Sequence, residues 1–340
     1  MSEIDSVLLV SFGGPEGPDD VLPFLENVTR GRRIPPERLQ AVAEHYYSFG
    51  GISPINEQNR QLIAALRQEL DRRELTFPIA WGNRNWLPYI GDAIDELEAA
   101  GLTRPLIVTT SAYSSYSGCR QYRDDIDAAI GQRGLAQAIT AHKAPAYFDR
   151  GGFIEPFADG LSAALRELAA EGHAPERTSI FFTTHSIPMS MAAASGPDEA
   201  RPPEGAYVAQ HRQAMHAVLA ATRDRLHADS LPSASLVYQS RSGAPHIPWL
   251  EPDINDAIRA LDSSMSAVVI VPIGFVSDHL EVVWDLDHEA RITCEARGFE
   301  MRRVATPGTT RAFVSMLADL VAEASEGRWA DCPATCCLAT

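Results

Sequence analysis

Two segments of the chain carry side chains suited to moving protons and a metal ion. Thr184-His185-Ser186-Ile187-Pro188 follows the apolar run Thr178 to Thr183, and Gly274-Phe275-Val276-Ser277-Asp278-His279-Leu280-Glu281 follows the run Ala267 to Pro272. If both runs are strands of one parallel sheet, both segments emerge at its carboxyl edge, where open α/β sheets bind ligands. His185 then offers an imidazole, a metal ligand and proton acceptor near neutral pH, and Glu281 offers a carboxylate. Pro188 biases Ile187 toward an extended backbone, which fixes the chain beside the imidazole. Asp285 and Glu289 follow Glu281 at four-residue intervals, so on a helix the three carboxylates form one stripe. Val282, Val283, Trp284 and Leu286 leave that stripe little of the character of a solvated face. Stacked carboxylates repel one another unless a metal ion or a proton lies between them. The ladder, with Asp287 and His288 beside it, therefore reads as a route for a divalent ion or for protons. One His and one Glu are few and weak ligands for an ion that is passed on. A permanent zinc site wants three or four, and neither HExxH nor CxxC occurs.

The cysteines are distributed unevenly. Cys332, Cys336 and Cys337 fall in the last nine residues, whereas Cys119 and Cys294 are isolated. An odd count without an export signal argues against a disulfide framework. The tail cluster points to metal or iron–sulfur ligation, one thiolate short of the usual four. The net charge of −16 over 340 residues argues against nucleic acid and against general attraction to anionic lipid. Within it, Thr29-Arg30-Gly31-Arg32-Arg33 is a local basic run, and guanidinium pairs bidentately with carboxylate. No stretch approaches 18 consecutive apolar residues, so no membrane span is expected. The acidic start, Met1 to Asp5, lacks the pattern of a signal peptide, which predicts a cytoplasmic protein. Nothing in the sequence forces a dimer, and a monomer is expected.

The elements that must position these groups alternate strand and helix. Ser6–Ser11, Ile79–Trp81 and Pro105–Thr110 read as strands, with a further short one at 139–142. Helical patterns span Gln58–Arg73, Ile90–Ala100 and Gln121–Ile130. The pattern restarts after Pro145, with helices at 153–171, 207–228, 253–260 and 280–296. Strands are expected at 179–183, 235–239, 267–272 and 301–304. The segment 192–205, rich in Pro, Gly and Ala, reads as an exposed loop. Repeated βα units with short loops predict parallel sheets with right-handed crossovers. The expected fold is α/β: two Rossmann-like domains, each a four-stranded parallel sheet flanked by helices, with a cleft between them. Residues 1–150 form the first, 151–309 the second, and 310–340 a final helix packed back on the first, followed by the cysteine tail.

The two segments, together with Tyr238-Gln239-Ser240-Arg241 and Trp249-Leu250-Glu251-Pro252, resemble the ferrochelatase family, most of all its coproporphyrin-using actinobacterial branch. The resemblance runs from Leu8 to the tail, with motifs in family order. It implies insertion of ferrous iron into coproporphyrin III to give coproheme, with His185 and Glu281 as the catalytic pair and Asp285 and Glu289 as further metal-path residues. Four more segments resemble the family and imply a pocket for the macrocycle and its propionates: Ser11-Phe12-Gly13-Gly14-Pro15, Thr29 to Arg33, Gly50 to Ile55, and Tyr113 to Gly118 with Tyr122 and Arg123 beyond. The implied contacts are Phe12, Arg30, Arg33, Tyr47, Ser53, Tyr113, Tyr116, Tyr122 and Arg123, with Tyr46 beside Tyr47. Phe12 departs from the tyrosine of many relatives and cannot ligate iron. Arg241 reads as an ion-pair former and Trp249 as a packing residue. In relatives that hold a 2Fe–2S cluster, tail cysteines are joined by one internal cysteine, which implies Cys119, Cys332, Cys336 and Cys337 as ligands. The implied partners are the porphyrin, ferrous iron and, transiently, neighbouring haem-pathway enzymes. Protoporphyrin IX as substrate, a cobalt or nickel chelatase, and a tetrapyrrole carrier without catalysis are the alternatives.

Overall fold

The computed structural model describes all residues except 1–2, 32–33, 243–245, 329–331, 334 and 340. Strands β1 (Ser6–Ser11), β2 (Ile79–Asn83), β3 (Pro105–Thr109) and β4 (His142–Lys143) form a first sheet in the order β2-β1-β3-β4. Strands β5 (Thr178–His185), β6 (Ser233–Gln239), β7 (Ala267–Val271) and β8 (Glu300–Arg303) repeat that order in a second sheet, β6-β5-β7-β8. Every pair is parallel. The central strands are covered on both faces, which is why β1 reads Val-Leu-Leu-Val without alternation and lies wholly buried. Each such side chain removed from water contributes about 1.5–3 kcal/mol.

Helices α1 (Val21–Val28) and α2 (Pro36–Ser48) precede α3 (Ile55–Arg72), α4 (Ile90–Ala99) and α5 (Gln121–Gln132) in the first half. The sequence patterns did not predict α1 or α2: Pro23 interrupts one, and the other carries few strong apolar residues. In the second half, α6 (Gly151–Ala170), α7 (Met189–Ala193), α8 (Ala206–Leu226) and α9 (Ile254–Ala260) are followed by α10 (Leu280–Val282). The latter runs through a π-helical stretch, Val283–Ala290, into α11 (Arg291–Arg297). The expected plain helix at 280–296 is therefore wound wider where the carboxylates lie.

Helix α12 (Arg311–Ser325) packs against both α3 and α6, with Arg73 reaching Asp319 and Arg150 paired to Glu323. One core cluster joins the halves, running from Val7 and Leu66 through Phe153 and Phe157 to Val269 and Phe313. The segment 192–205, expected from composition to be an exposed loop, is exposed at Asp198, Glu199, Pro203 and Glu204, but its two ends are packed inward. Ala192 and Ser195 are buried, and Gly205 approaches the Ala192 carbonyl where no Cβ fits. Among the described residues no helix is long and apolar enough to cross a membrane.

Candidate active site

The carboxyl ends of both sheets face a common cleft of about 340 Å³, a volume typical of cofactor-sized ligand sites. Phe12 and Gly13 enter from the end of β1, Arg84 and Asn85 from β2, Thr110 and Ser111 from β3. Opposite them stand His185 at the end of β5 with Ser186 to Pro188 just beyond it, Ser242 beyond β6 and Gly274 to Ser277 beyond β7, with His279 and Glu281. The cleft thus lies at the carboxyl edge of both sheets at once, where open α/β sheets bind ligands.

His185 Nε2 lies 3.8 Å from Glu281 Oε2. The ring's Nδ1 bonds the Ser186 carbonyl; a carbonyl only accepts, so Nδ1 carries the hydrogen and Nε2 turns its lone pair to Glu281. Burial between the cleft walls lowers the pKa of His185, opposed by the Ser186 bond and by Asp285, so the ring is neutral at pH 7. The same burial pushes Glu281 up to about 7. The tips still reach water, with 34% of the His185 and 46% of the Glu281 side chain exposed. A carboxyl near neutrality can both take and give up a proton.

Asp285 is also pushed up to about 7, first by burial and further by Glu281 and Glu289, against a lowering hydrogen bond from Ser240. Its Oδ2 also accepts from Gln239 Nε2 at 3.2 Å. Glu289 at the ladder's outer end is exposed and accepts from the Trp284 indole, whose ring stacks on His45 at 3.9 Å. Arg303 anchors the segment through Asp278 and Asp287. Among the described residues no three His, Cys, Asp or Glu side chains converge to hold a single metal ion.

Of the other expected pocket residues, Phe12, Ser53, Tyr113 and Tyr122 line the cleft. Tyr113 is buried, and its hydroxyl is committed to the Ile273 carbonyl. Tyr122 lies under the Arg84 guanidinium. Tyr116 and Tyr47 do not line the cleft; Tyr46 does, and burial raises its phenol well above the usual range, with the Glu281 charge adding to the effect. Arg30 is exposed two residues beyond Val28, which lines the cleft. Arg123 instead donates to the Cys332 carbonyl at 3.3 Å. Arg33 lies outside the described residues. Arg241 pairs with Glu251 at 3.4 Å, and Trp249 lines the cleft.

Sequence reasoning missed Arg84, which is the one arginine among the described cleft-lining residues. Its position just past β2, at the sheet's carboxyl edge, was the available signal. It also missed His279, which burial first and His185 second push down to about 4.

The four cysteines gather behind this wall. Cys119 sits in a π-helical turn, Tyr116–Arg120, whose Ser117 and Gly118 line the cleft. Hydrogen bonds from Cys332 and Cys337, with Lys143 nearby, hold the Cys119 thiol far down. The same contact with Cys119, and one with Cys336, push Cys332 far up. Cys336 and Cys337 sulfurs are 3.6 Å apart, and the Gly196 N–H donates to Cys337 Sγ at 3.2 Å.

A sequence profile described as Ferrochelatase matches residues 5–325. The chain belongs to the ferrochelatase family. It is 51% identical over 334 residues to the protein named coproporphyrin III ferrochelatase of Leifsonia xyli, covering 95% of this chain and 84% of that one. The Streptomyces coelicolor protein of the same name is 51% identical, with 95% and 86% covered. A protein named ferrochelatase from Rhodopirellula baltica is 47% identical, with 100% and 96% covered. Among solved structures, the sirohydrochlorin chelatase SirB of Bacillus subtilis subspecies spizizenii in complex with cobalt superposes with a TM-score of 0.51 at 8% identity, covering 95% of this chain and 96% of that one. At that identity the likeness concerns the fold, two parallel sheets of the chelatase type.

Proposed function

We propose that this chain inserts ferrous iron into coproporphyrin III, yielding coproheme and two protons. The names of its relatives at about 50% identity support the substrate. The observation that carries the chemistry is the neutral imidazole of His185 beside the raised carboxyl of Glu281, 3.8 Å apart on one wall of the cleft.

The macrocycle lies in the cleft against Phe12, and two pyrrole N–H groups must lose their protons as iron enters. His185 Nε2 accepts one from the ring. Glu281, its pKa pushed up to about 7 by burial, accepts or relays another and contributes an oxygen to the incoming ion. Asp285 and Glu289 continue the route outward. Ser53, Arg84, Tyr122 and the cleft-lining hydroxyls of Ser111, Ser115 and Ser117 give the propionates donors inside a chain of net negative charge, with Arg30 near Val28 at the edge of the cleft. Four propionates need more such donors than two.

We further infer that Cys119, Cys332, Cys336 and Cys337 hold a 2Fe–2S cluster, since two cysteine sulfurs per iron are what such a cluster requires. When bound, it would supply a covalent tie between the tail and the first half of the chain.

Anaerobic protein mixed with ferrous iron and either coproporphyrin III or protoporphyrin IX tests the reading by absorbance. Conversion of coproporphyrin is expected, and the His185→Ala variant should bind it without converting it. Conversion of protoporphyrin alone would reassign the substrate; binding of both without turnover would leave a carrier.

A further inference from the structure

His185 is the last residue of β5, and its backbone carbonyl has a problem that the ladder does not solve. Along β5, alternate residues address opposite neighbours. The Thr183 carbonyl accepts from Gly274 on the β7 side, and the Ser186 N–H donates to Gln239 on the β6 side. The His185 carbonyl, two residues after Thr183, therefore points to the β7 side, where β7 has already ended at Val271. A buried carbonyl there needs a donor. Tyr207 supplies it: the phenol, on the first turn of α8, donates to the His185 carbonyl at 2.8 Å. With its one hydrogen so used, it accepts from Thr184 Oγ1 at 2.8 Å.

Tyr207 is itself held from several directions. Its N–H donates to Ser195 Oγ at 2.8 Å, and its carbonyl accepts from His211 Nδ1 at 2.7 Å. Tyr113, from the other half, stacks on the His211 ring at 3.5 Å. The phenol is thus a fixed post. By pinning the His185 carbonyl it pins the peptide plane between His185 and Ser186. The next carbonyl, that of Ser186, receives Nδ1 of the same imidazole.

We propose that Tyr207 is a positioning residue for His185: its hydroxyl replaces the missing strand and sets the direction in which Nε2 faces the substrate. This rests on the functional reading of His185 given above.

The test separates that hydroxyl from its neighbour. In Tyr207→Phe the bond to His185 is lost while the ring remains. In Thr184→Val the Thr184 hydroxyl is lost, but Tyr207 still reaches His185. Tyr207→Phe should lower kcat for coproporphyrin metalation roughly tenfold and leave KM for porphyrin and for iron within about twofold. Thr184→Val should keep kcat within about twofold of wild type. Equal losses in both variants, unchanged kcat in Tyr207→Phe, or porphyrin affinity falling in step with kcat would overturn the proposal. The His185 Nδ1–H proton resonance provides an arm independent of turnover. It should move in Tyr207→Phe and stay in Thr184→Val; a resonance unmoved in Tyr207→Phe counts against the claim. If wild-type protein metalates no porphyrin, the functional reading fails, and the resonance still decides the positioning role.

Discussion

Glu281 illustrates how a reactive group is made at a cost to the fold. Its carboxyl is pushed up to about 7 because the cleft walls disfavour its charged form. Below the ordinary carboxylate range it is protonated in both folded and unfolded chains and has no effect on stability. Between that range and pH 7 the unfolded chain releases the proton and the folded chain keeps it, so stability falls as pH rises. Above 7 the full penalty applies. Glu281→Gln should therefore melt higher than wild type at pH 8, with the gap closing by pH 4–5. With nearly half of the side chain reaching water, the gain is discounted to ~1 kcal/mol, or a few degrees. Calorimetry at the two pH values reads it, and a variant no more stable at pH 8 would contradict the desolvated carboxyl. Turnover of the same variant should be lost, and that of wild type should rise through pH 7 as Glu281 ionises. At this scale His185 and Glu281 were marked by segments that follow apolar strands, while their pairing as a site came from the family resemblance. Tyr46 was named only beside Tyr47, because adjacent helical tyrosines differ only in the face they take. The stripe Leu39, Val42, Ala43 and Tyr46, three and four residues apart, was the cue that Tyr46 turns inward.

At the level of elements, the site depends on how tightly the end of β7 packs against the end of β5. A Cβ on Gly274 would come within 2.2 Å of Thr184 Oγ1 and 2.8 Å of its Cα. That strand end is fixed by its ladder, so the contact cannot be relieved by a side chain swinging away. Gly274→Ala should cost about 1–3 kcal/mol by overpacking and should displace Thr184, and with it His185. Both melting temperature and kcat are expected to fall. A variant that keeps wild-type kcat would mean the strand end yields without moving the imidazole. The strands and their parallel order were legible because strands covered on both faces are continuous apolar runs bounded by Gly and Pro. The π-helical winding at Val283–Ala290 was not, because carboxylates four apart satisfy an α-helical pattern equally well and the difference lies in backbone hydrogen bonds that side-chain types do not encode. The burial of the two ends of 192–205 was likewise hidden, since small residues read as a loop while here they allow close approach to α8.

Across the whole molecule the cysteine tail joins segments that the sequence keeps more than 200 residues apart. Cys119 belongs to the wall of the first half, whereas Cys337 is bonded in both directions to Gly196 of the second, its sulfur accepting and its N–H donating. The tail cysteines announced themselves by spacing. The choice of Cys119 over Cys294 came from family resemblance, and the structure keeps Cys294 buried in α11, away from the group, with burial pushing its thiol up to about 12. Gly196 carried no signal at all, because a glycine N–H has no sequence signature. A group bound at the four sulfurs stabilises whatever arrangement brings them together, since it binds the folded chain and not the unfolded one. Protein purified anaerobically should contain two irons and two sulfides per chain, as a 2Fe–2S cluster demands, and removing them with a chelator should lower the melting temperature. Cys337→Ser should lack the cluster's visible absorption and melt at the temperature of stripped wild type, with chelator producing no further change. Such a match would identify the cluster as the clasp between the halves. A Cys337→Ser protein that retains full iron and sulfide would remove Cys337 from the ligand set and leave it as a buried thiol hydrogen-bonded to Gly196.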